Sequence, residues 1–422
     1  MTAFFNDLMG FWSEWVRPSA GFPTVVWSLL LAVAAAAGHL VQRYTGMPKL
    51  VGYTIVGTVA GFAGFEGAMW PLQGIGLFLL ELGVAIVLFE AGGRLPLRWF
   101  RHNPMVLVQS ILEATLTYFA VFWTMQWLGM ADVVAGPLAL IAVVASPAVL
   151  SRVALDANAS GPVIERALAL ATLNTLYALT LGYAHAGLLE RAPASLLQKL
   201  YPVAVVLGLS FVVGALMALA LRSALRVMSP SSENTSIFLL AIIAAGAAVA
   251  AHLGGSAALA ALIGGVLLKQ LNPKPWTWPR QLGTAASLLT MLMFVLVSMV
   301  AAQADWSLPV ASTVLILLGV RLVAKAAGVA IANPGSGASW KQALWLGVAM
   351  SPLSAVALLI ASNFVTASPL LGNMITQIAL PAILLMEVLG AVLATVAIHA
   401  AGESSQPWLA QAAFSKTGET IR

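Results

Sequence analysis

Apolar stretches recur along the whole chain, separated by short breaks rich in Pro, Gly, Ser or Asn such as TGMPK, MSPSSENTS, NPKPWTWPR and NPGSGAS. An α-helix needs about 20 apolar residues to cross a bilayer core. On that measure thirteen transmembrane helices are expected, near residues 24–43, 50–65, 74–92, 104–130, 133–153, 163–187, 199–227, 235–252, 256–271, 282–303, 308–332, 341–362 and 374–400. The most polar interior stretch, VMSPSSENTS, reads as the join between two halves of one bundle. The predicted class is therefore an all-α membrane protein.

Two of these segments are interrupted in the same way. The fifth contains Ser146-Pro147 within VVASPAVLSRVAL, and the twelfth contains Ser351-Pro352 within VAMSPLSAVALLI. Proline removes a backbone donor and clashes with the carbonyl one turn back. Broken backbone at membrane depth is tolerated where it is buried in protein or lines a hydrated cavity. A matched pair of Pro-interrupted segments points to a transporter's binding site. The offset of seven segments inverts the second repeat relative to the first. A plain proline kink is the simpler account of either break taken alone.

Composition agrees with a lipid-facing chain. The sequence is 60% hydrophobic and 8% charged, with mean hydropathy +0.95. A soluble domain carries roughly 25% charged residues. The excess of positive charge reports orientation rather than nucleic-acid binding, and no basic run interleaves with aromatics. If the segments alternate, fifteen Lys and Arg residues fall in one set of loops and three, Arg17, Arg191 and Lys199, in the other. The basic side is cytoplasmic by the positive-inside rule. That orientation places the N-terminus outside and the C-terminus inside, in an inner (plasma) membrane. Zero cysteines remove disulfides, thiolate metal sites and thiol catalysis. No nucleophile elbow, phosphate loop or His/Glu metal spacing stands out, so no enzyme activity and no cofactor is expected.

The residues MPKLVGYTIVGTVAGF (47–62), LGVAIVLFEAGGRL (82–95), ASPAVLSRV (145–153), GSAALAALIGGVLL (255–268) and GVRLVAKAAG (319–328) resemble, in order and spacing, the cation:proton antiporter superfamily, nearest its sodium/proton and Kef-like branches. The resemblance spans about residues 24–400. It implies inverted repeats with two crossing broken helices, a core bundle and a dimerisation bundle, elevator-like alternating access and a homodimer. The expected domains are an N-terminal interfacial segment (1–23), the transmembrane domain (24–400) and a short cytoplasmic tail (401–422), with no soluble regulatory domain in the chain. One departure matters. The family's sixth span carries an Asn-Asp or Asp-Asp pair, whereas ATLNTLYAL gives Asn174-Thr175 here, and Ser146 stands where one branch has Asp.

The site must then use other groups. Candidate ion or substrate ligands are Ser146, Asn174, Thr175, Ser351, Ser354 and the carboxylate Glu90, which one branch places in the same motif. Arg94 lies four residues beyond Glu90, so a helical ion pair is the alternative. Intramembrane charges are costly and mark function. Candidate charge partners or proton carriers are Arg321, Lys325, Glu113 and Glu165. By the resemblance, a basic residue in this span pairs with the binding-site carboxylate or with one near the start of the sixth span, Glu165 being a candidate partner of Arg321, and Lys325, lacking the usual Asp, is a candidate lone buried cation. Glu387 reads as structural or as part of a dimer surface. The expected function is exchange of a monovalent cation, sodium or potassium, for protons. The alternatives are transport of an anion or small organic solute on the same fold, or a non-transporting membrane sensor.

Overall fold

The computed structural model describes residues 22–65, 70–72, 74–95, 97–189, 195–229, 232–272, 280–353 and 355–405. Nearly all of the expected interfacial segment 1–23, most of the tail, and the candidate ligand Ser354 lie outside the described residues. Sixteen helices are seen there: α1 Phe22–Thr45, α2 Lys49–Phe62, α3 Gly74–Gly93, α4 Leu97–His102, α5 Pro104–Trp127, α6 Asp132–Val143, α7 Pro147–Asp156, α8 Pro162–Ala186, α9 Leu196–Val227, α10 Glu233–His252, α11 Ala257–Leu271, α12 Arg280–Ala302, α13 Leu308–Ile331, α14 Trp340–Ala349, α15 Ala355–Ala367 and α16 Pro369–Ala400. No strand occurs among the described residues. Among the described residues nine segments are long and apolar enough to cross a bilayer, counting α6 with α7 as one, and shorter apolar helices accompany them.

Local chemistry sets many of the helix ends. Pro104, Pro147, Pro162 and Pro369 open their helices, where a missing N–H removes nothing the helix would have bonded. Ser146, Ser195, Ser232, Ser256 and Ser339 accept a hydrogen bond from the backbone N–H three residues on. The short α4, LRWFRH, was not foreseen as an element. It buries Phe100 beneath a polar turn of Arg98 and Arg101, between two membrane-spanning helices.

The helices pack as two groups. One contains α5 to α8 and α13 to α16. The other contains α1 to α3 and α9 to α12. Contacts are dense within each group and sparser between them, where α12 and α2 meet α16 and where α9 meets α8. The fifth and twelfth predicted segments are indeed both broken, as α6/α7 and α14/α15. Beyond α16 the chain turns back. Glu403 accepts hydrogen bonds from Val163 N–H (2.7 Å) and Ile164 N–H (2.9 Å), placing a carboxylate on the first turn of α8. A helix N-terminus with its free N–H groups is a natural seat for an anion.

Candidate functional site

The two breaks touch. Ser146 N–H donates to the carbonyl of Pro352 at 3.0 Å. Close approach of α16 supports this point: Gly390 lies against Pro352, where a Cβ would come within 2.5 Å of Pro352 Cα. Four half-helix ends therefore converge, the C-termini of α6 and α14 and the N-termini of α7 and α15.

Helix C-termini leave carbonyls without partners. Here α13 supplies them. Arg321 Nε donates to Ala142 O (2.8 Å), Nη2 to Val144 O (2.6 Å) and Nη1 to Ser351 O (2.5 Å). One turn on, Lys325 Nζ donates to Val143 O at 3.0 Å. A planar guanidinium with five donors in a fixed fork suits several carbonyls at once, and cations favour the negative ends of helices. Both side chains are fully buried. Arg321 is thus the clasp that holds both broken helices at the crossing.

Lys325 also meets a carboxylate. Its Nζ lies 2.7 Å from Glu113 Oε1 on α5, and both side chains are 0% exposed. Gly328 makes this possible, because a Cβ there would lie 2.5 Å from Glu113 Cα and would push α13 off α5. Glu113 accepts further hydrogen bonds from Thr117 Oγ1 (3.1 Å) and from Asn174 Nδ2 on α8. Asn174 Oδ1 in turn faces Ser110 Oγ at 3.5 Å, and Ser110 Oγ lies 3.4 Å from the Tyr177 hydroxyl. Thr175 Oγ1 sits within 3.0 Å of Ala145 O, at the first break, and 2.9 Å of Ala171 O. The cluster is one buried network of a carboxylate, an ammonium, an amide and hydroxyls, set against the crossing.

The sequence candidates sort accordingly. The structure brings together Ser146, Asn174, Thr175, Ser351, Arg321, Lys325 and Glu113. Ser146 Oγ accepts from Val149 N–H at 3.3 Å, while Ser351 Oγ is buried with no hydrogen-bond partner among the described residues. Glu90 is elsewhere, half-buried and paired with Arg94 at 2.5 Å. Glu165 is exposed on the first turn of α8, so it does not partner the buried Arg321, whose donors go to carbonyls instead. Lys325 is not a lone cation, since Glu113 is its partner. Two points escaped sequence reading. One is the capping role of Arg321. The other is which basic residue meets Glu113: the sequence marked Glu113 and Lys325 each as charge partners or proton carriers but did not pair them with one another. Glu387 is fully buried inside the chain rather than displayed on a surface.

Two cavities approach the first break from opposite ends. A cavity of about 850 Å³ between α5, α6, α8 and α9 runs from Asp132 and Lys199 to Val143 and Tyr177. A smaller one of about 150 Å³ is lined by Glu90, Ala148, Ser151, Arg152, Ser287 and Thr290. Val143 lines the first and Ala148 the second, so the break lies between them.

Residues 28–399 match the family described as sodium/hydrogen exchanger, transmembrane. No curated protein matches the chain in sequence. Among solved structures, the sodium proton antiporter MjNhaP1 from Methanocaldococcus jannaschii at pH 8 superposes with a TM-score of 0.69 at 16% identity, covering 89% of this chain and 98% of that one. An electron-microscopy structure of the same antiporter gives a TM-score of 0.69 at 15% identity, over 96% and 99% of the two chains. At these identities the likeness is one of fold.

Proposed function

The chain belongs to the sodium/hydrogen exchanger family, and from that premise we propose that it exchanges a monovalent cation, sodium or potassium, for protons at the Glu113–Asn174–Thr175 cluster. The family is one of transporters, not enzymes, and the cargo here is an ion rather than a bound cofactor. The observation that carries the reading is the buried Glu113–Lys325 pair set on the crossing of two broken helices.

The chemistry follows from that pair. A dehydrated monovalent cation needs oxygen ligands and one negative charge. Glu113 supplies the charge, and Asn174 Oδ1, Thr175 Oγ1 and, from the second break, Ser351 Oγ are the neutral oxygens of the proposed site. The cation must take Glu113 from Lys325, because two cations sharing one carboxylate in a low-dielectric site repel strongly. Lys325 released from Glu113 keeps, among the described residues, only the Val143 carbonyl as a partner, and in this reading it is the group that gives up the proton. Cation binding and proton release are in this way the two faces of one competition for Glu113. Thr175 serves as an oxygen ligand without charge, which moves the carboxylate of the site from the sixth span to the fourth.

The two cavities give the route. With the basic loops inside, the larger cavity opens outward and the smaller one opens to the cytoplasm past the Glu90–Arg94 pair. Thirteen crossings, with the N-terminus outside in a plasma membrane, fit the fifteen-to-three distribution of basic residues. An elevator-type movement of the group α5 to α8 and α13 to α16 against the other group, within a homodimer, would carry the cluster from one cavity to the other. The sparser packing between the groups supports this.

The test is reconstitution of the full chain in liposomes holding a pH-sensitive dye. An imposed sodium or potassium gradient is expected to move protons. Silence to both ions at every pH would overturn the reading. Thr175→Asp is expected to alter the apparent cation affinity, since it places a second carboxylate at the first break.

A further inference from the structure

Among the described residues two carboxylates are fully buried, Glu113 and Glu387. Glu387 lies on α16, less than one turn before the Gly390 that packs on Pro352. Its Oε2 is 2.6 Å from Ser298 Oγ on α12, and that same hydroxyl is 2.7 Å from the carbonyl of Phe294. A serine hydroxyl has one hydrogen to give. The Phe294 carbonyl can only accept, and an ionised carboxylate can only accept. Both short contacts are hydrogen bonds when Glu387 holds a proton. It then donates Oε2–H to Ser298 Oγ, which donates onward to Phe294 O.

Three further observations agree. Among the described residues Glu387 Oε1 is buried without a hydrogen-bond partner, a modest cost for the carbonyl oxygen of a neutral acid and a far larger one for half of a carboxylate. No Lys, Arg or His among the described residues comes within ion-pair distance of it. Lys49 sits at the start of α2, two turns before Gly57, and the other described charged groups on the helices packed against α16 are engaged elsewhere or exposed. Arg321 and Lys325 hold carbonyls and Glu113, Arg152 donates to Ser287, Asp156 accepts from Lys49 N–H, and Asp132 accepts from Gln126. Lys341 on α14 is exposed, and His399 of α16 itself bonds Thr395 O.

The position is as informative as the protonation. Ser298 belongs to the helix group without the broken helices, and Gly57 of α2 packs directly on it. One turn ahead of Gly57, Thr54 Oγ1 is also buried with no partner. The acid therefore sits on the seam between the two groups.

We propose that Glu387 is a second proton-binding site, distinct from Glu113, loaded in the conformation seen here and emptied when α16 shifts against α2 and α12. Its occupancy by a proton stands on the hydrogen-bond geometry alone. Its use as a transported proton rests on the antiport reading given above.

The test compares the full-length wild type with Glu387→Gln, whose amide keeps a donor for Ser298, in detergent and in liposomes. Infrared difference spectra in H2O and D2O are expected to show the carbonyl stretch of a protonated carboxylic acid in the wild type and not in E387Q. Ser298→Ala is expected to shift that band, by removing its acceptor. An identical band in wild type and E387Q, or no such band in either, would overturn the protonated assignment. In the same preparations, proton release on adding sodium or potassium is expected to fall in E387Q. Unchanged release would overturn the transport role. If neither ion evokes release from the wild type, the antiport reading fails, while the infrared band still decides whether Glu387 holds a proton.

Discussion

Glu113 and Glu387 are both withdrawn from water, yet they have opposite surroundings. Glu113 meets an ammonium, an amide N–H and a hydroxyl. Glu387 meets one hydroxyl whose hydrogen is already directed to a carbonyl. The first setting stabilises negative charge and the second excludes it. Burial by itself does not say what a carboxyl group does in a membrane helix; the count of donors around it does. The contrast also divides labour across the fold, with a charged acid at the crossing of the broken helices and a neutral one on the seam beside it.

The largest effect is expected from removing the charged partner. Glu113→Ala leaves Lys325 buried beside carbonyls, and breaking a buried pair in this way costs about 3–5 kcal/mol. Thermal unfolding of the purified protein should show a large drop. Glu113→Leu combined with Lys325→Met should recover most of that loss, because no charge is then stranded, while cation-driven proton flux stays absent. A double variant no more stable than Glu113→Ala would remove the pair from the account. A smaller effect is expected at the neutral acid. Glu387→Leu exchanges a half-satisfied group for an apolar one, so stability should change by no more than about 1 kcal/mol. A loss as large as that of Glu113→Ala would show that Glu387 is charged and would erase the contrast.

The two serines at the breaks extend the comparison. Ser146 caps α7, so Ser146→Ala should cost about 1 kcal/mol, within the range measured for such caps. Ser351 Oγ has no hydrogen-bond partner among the described residues. Ser351→Ala should therefore be neutral or stabilising by up to about 1 kcal/mol in the same unfolding assay, because it removes a buried hydroxyl with no partner. If Ser351 is an ion ligand, the same substitution weakens the apparent affinity for the transported cation. A change in stability without a change in affinity would remove it from the site.

Much of this was legible in the sequence. Length and apolarity located the helices, because lipid as outer solvent leaves little else that 20 apolar residues can form. The Ser-Pro dipeptides located both breaks, because proline acts on its own helix and needs no tertiary information. What could not be read were the partners. Glu113 and Lys325 are 212 residues apart, and nothing in the pattern of either helix says that Gly328 lets them meet. Arg321 was suspect as a buried charge, but its acceptors are backbone carbonyls, which every residue has and no sequence motif marks. Glu90 drew attention through its motif, although Arg94 one turn away was already the sufficient partner. Glu165 followed the family's pattern into a position that is exposed here.

The grip of Glu403 on the start of α8 has a mechanical consequence. The residue follows α16 by three positions, so the chain closes a loop between the helix that bears Glu387 and the helix that bears Asn174. Force applied to this segment reaches both at once, and neither can slide lengthwise without the other unless that carboxylate and the bonds beside it, Ser160 N–H to Glu403 O and Ser404 Oγ to Ala157 O, let go together. A tether fixed at this end of the protein would act as a brake on the machinery, and trimming the chain back to residue 402 would free the first turn of α8 to fray.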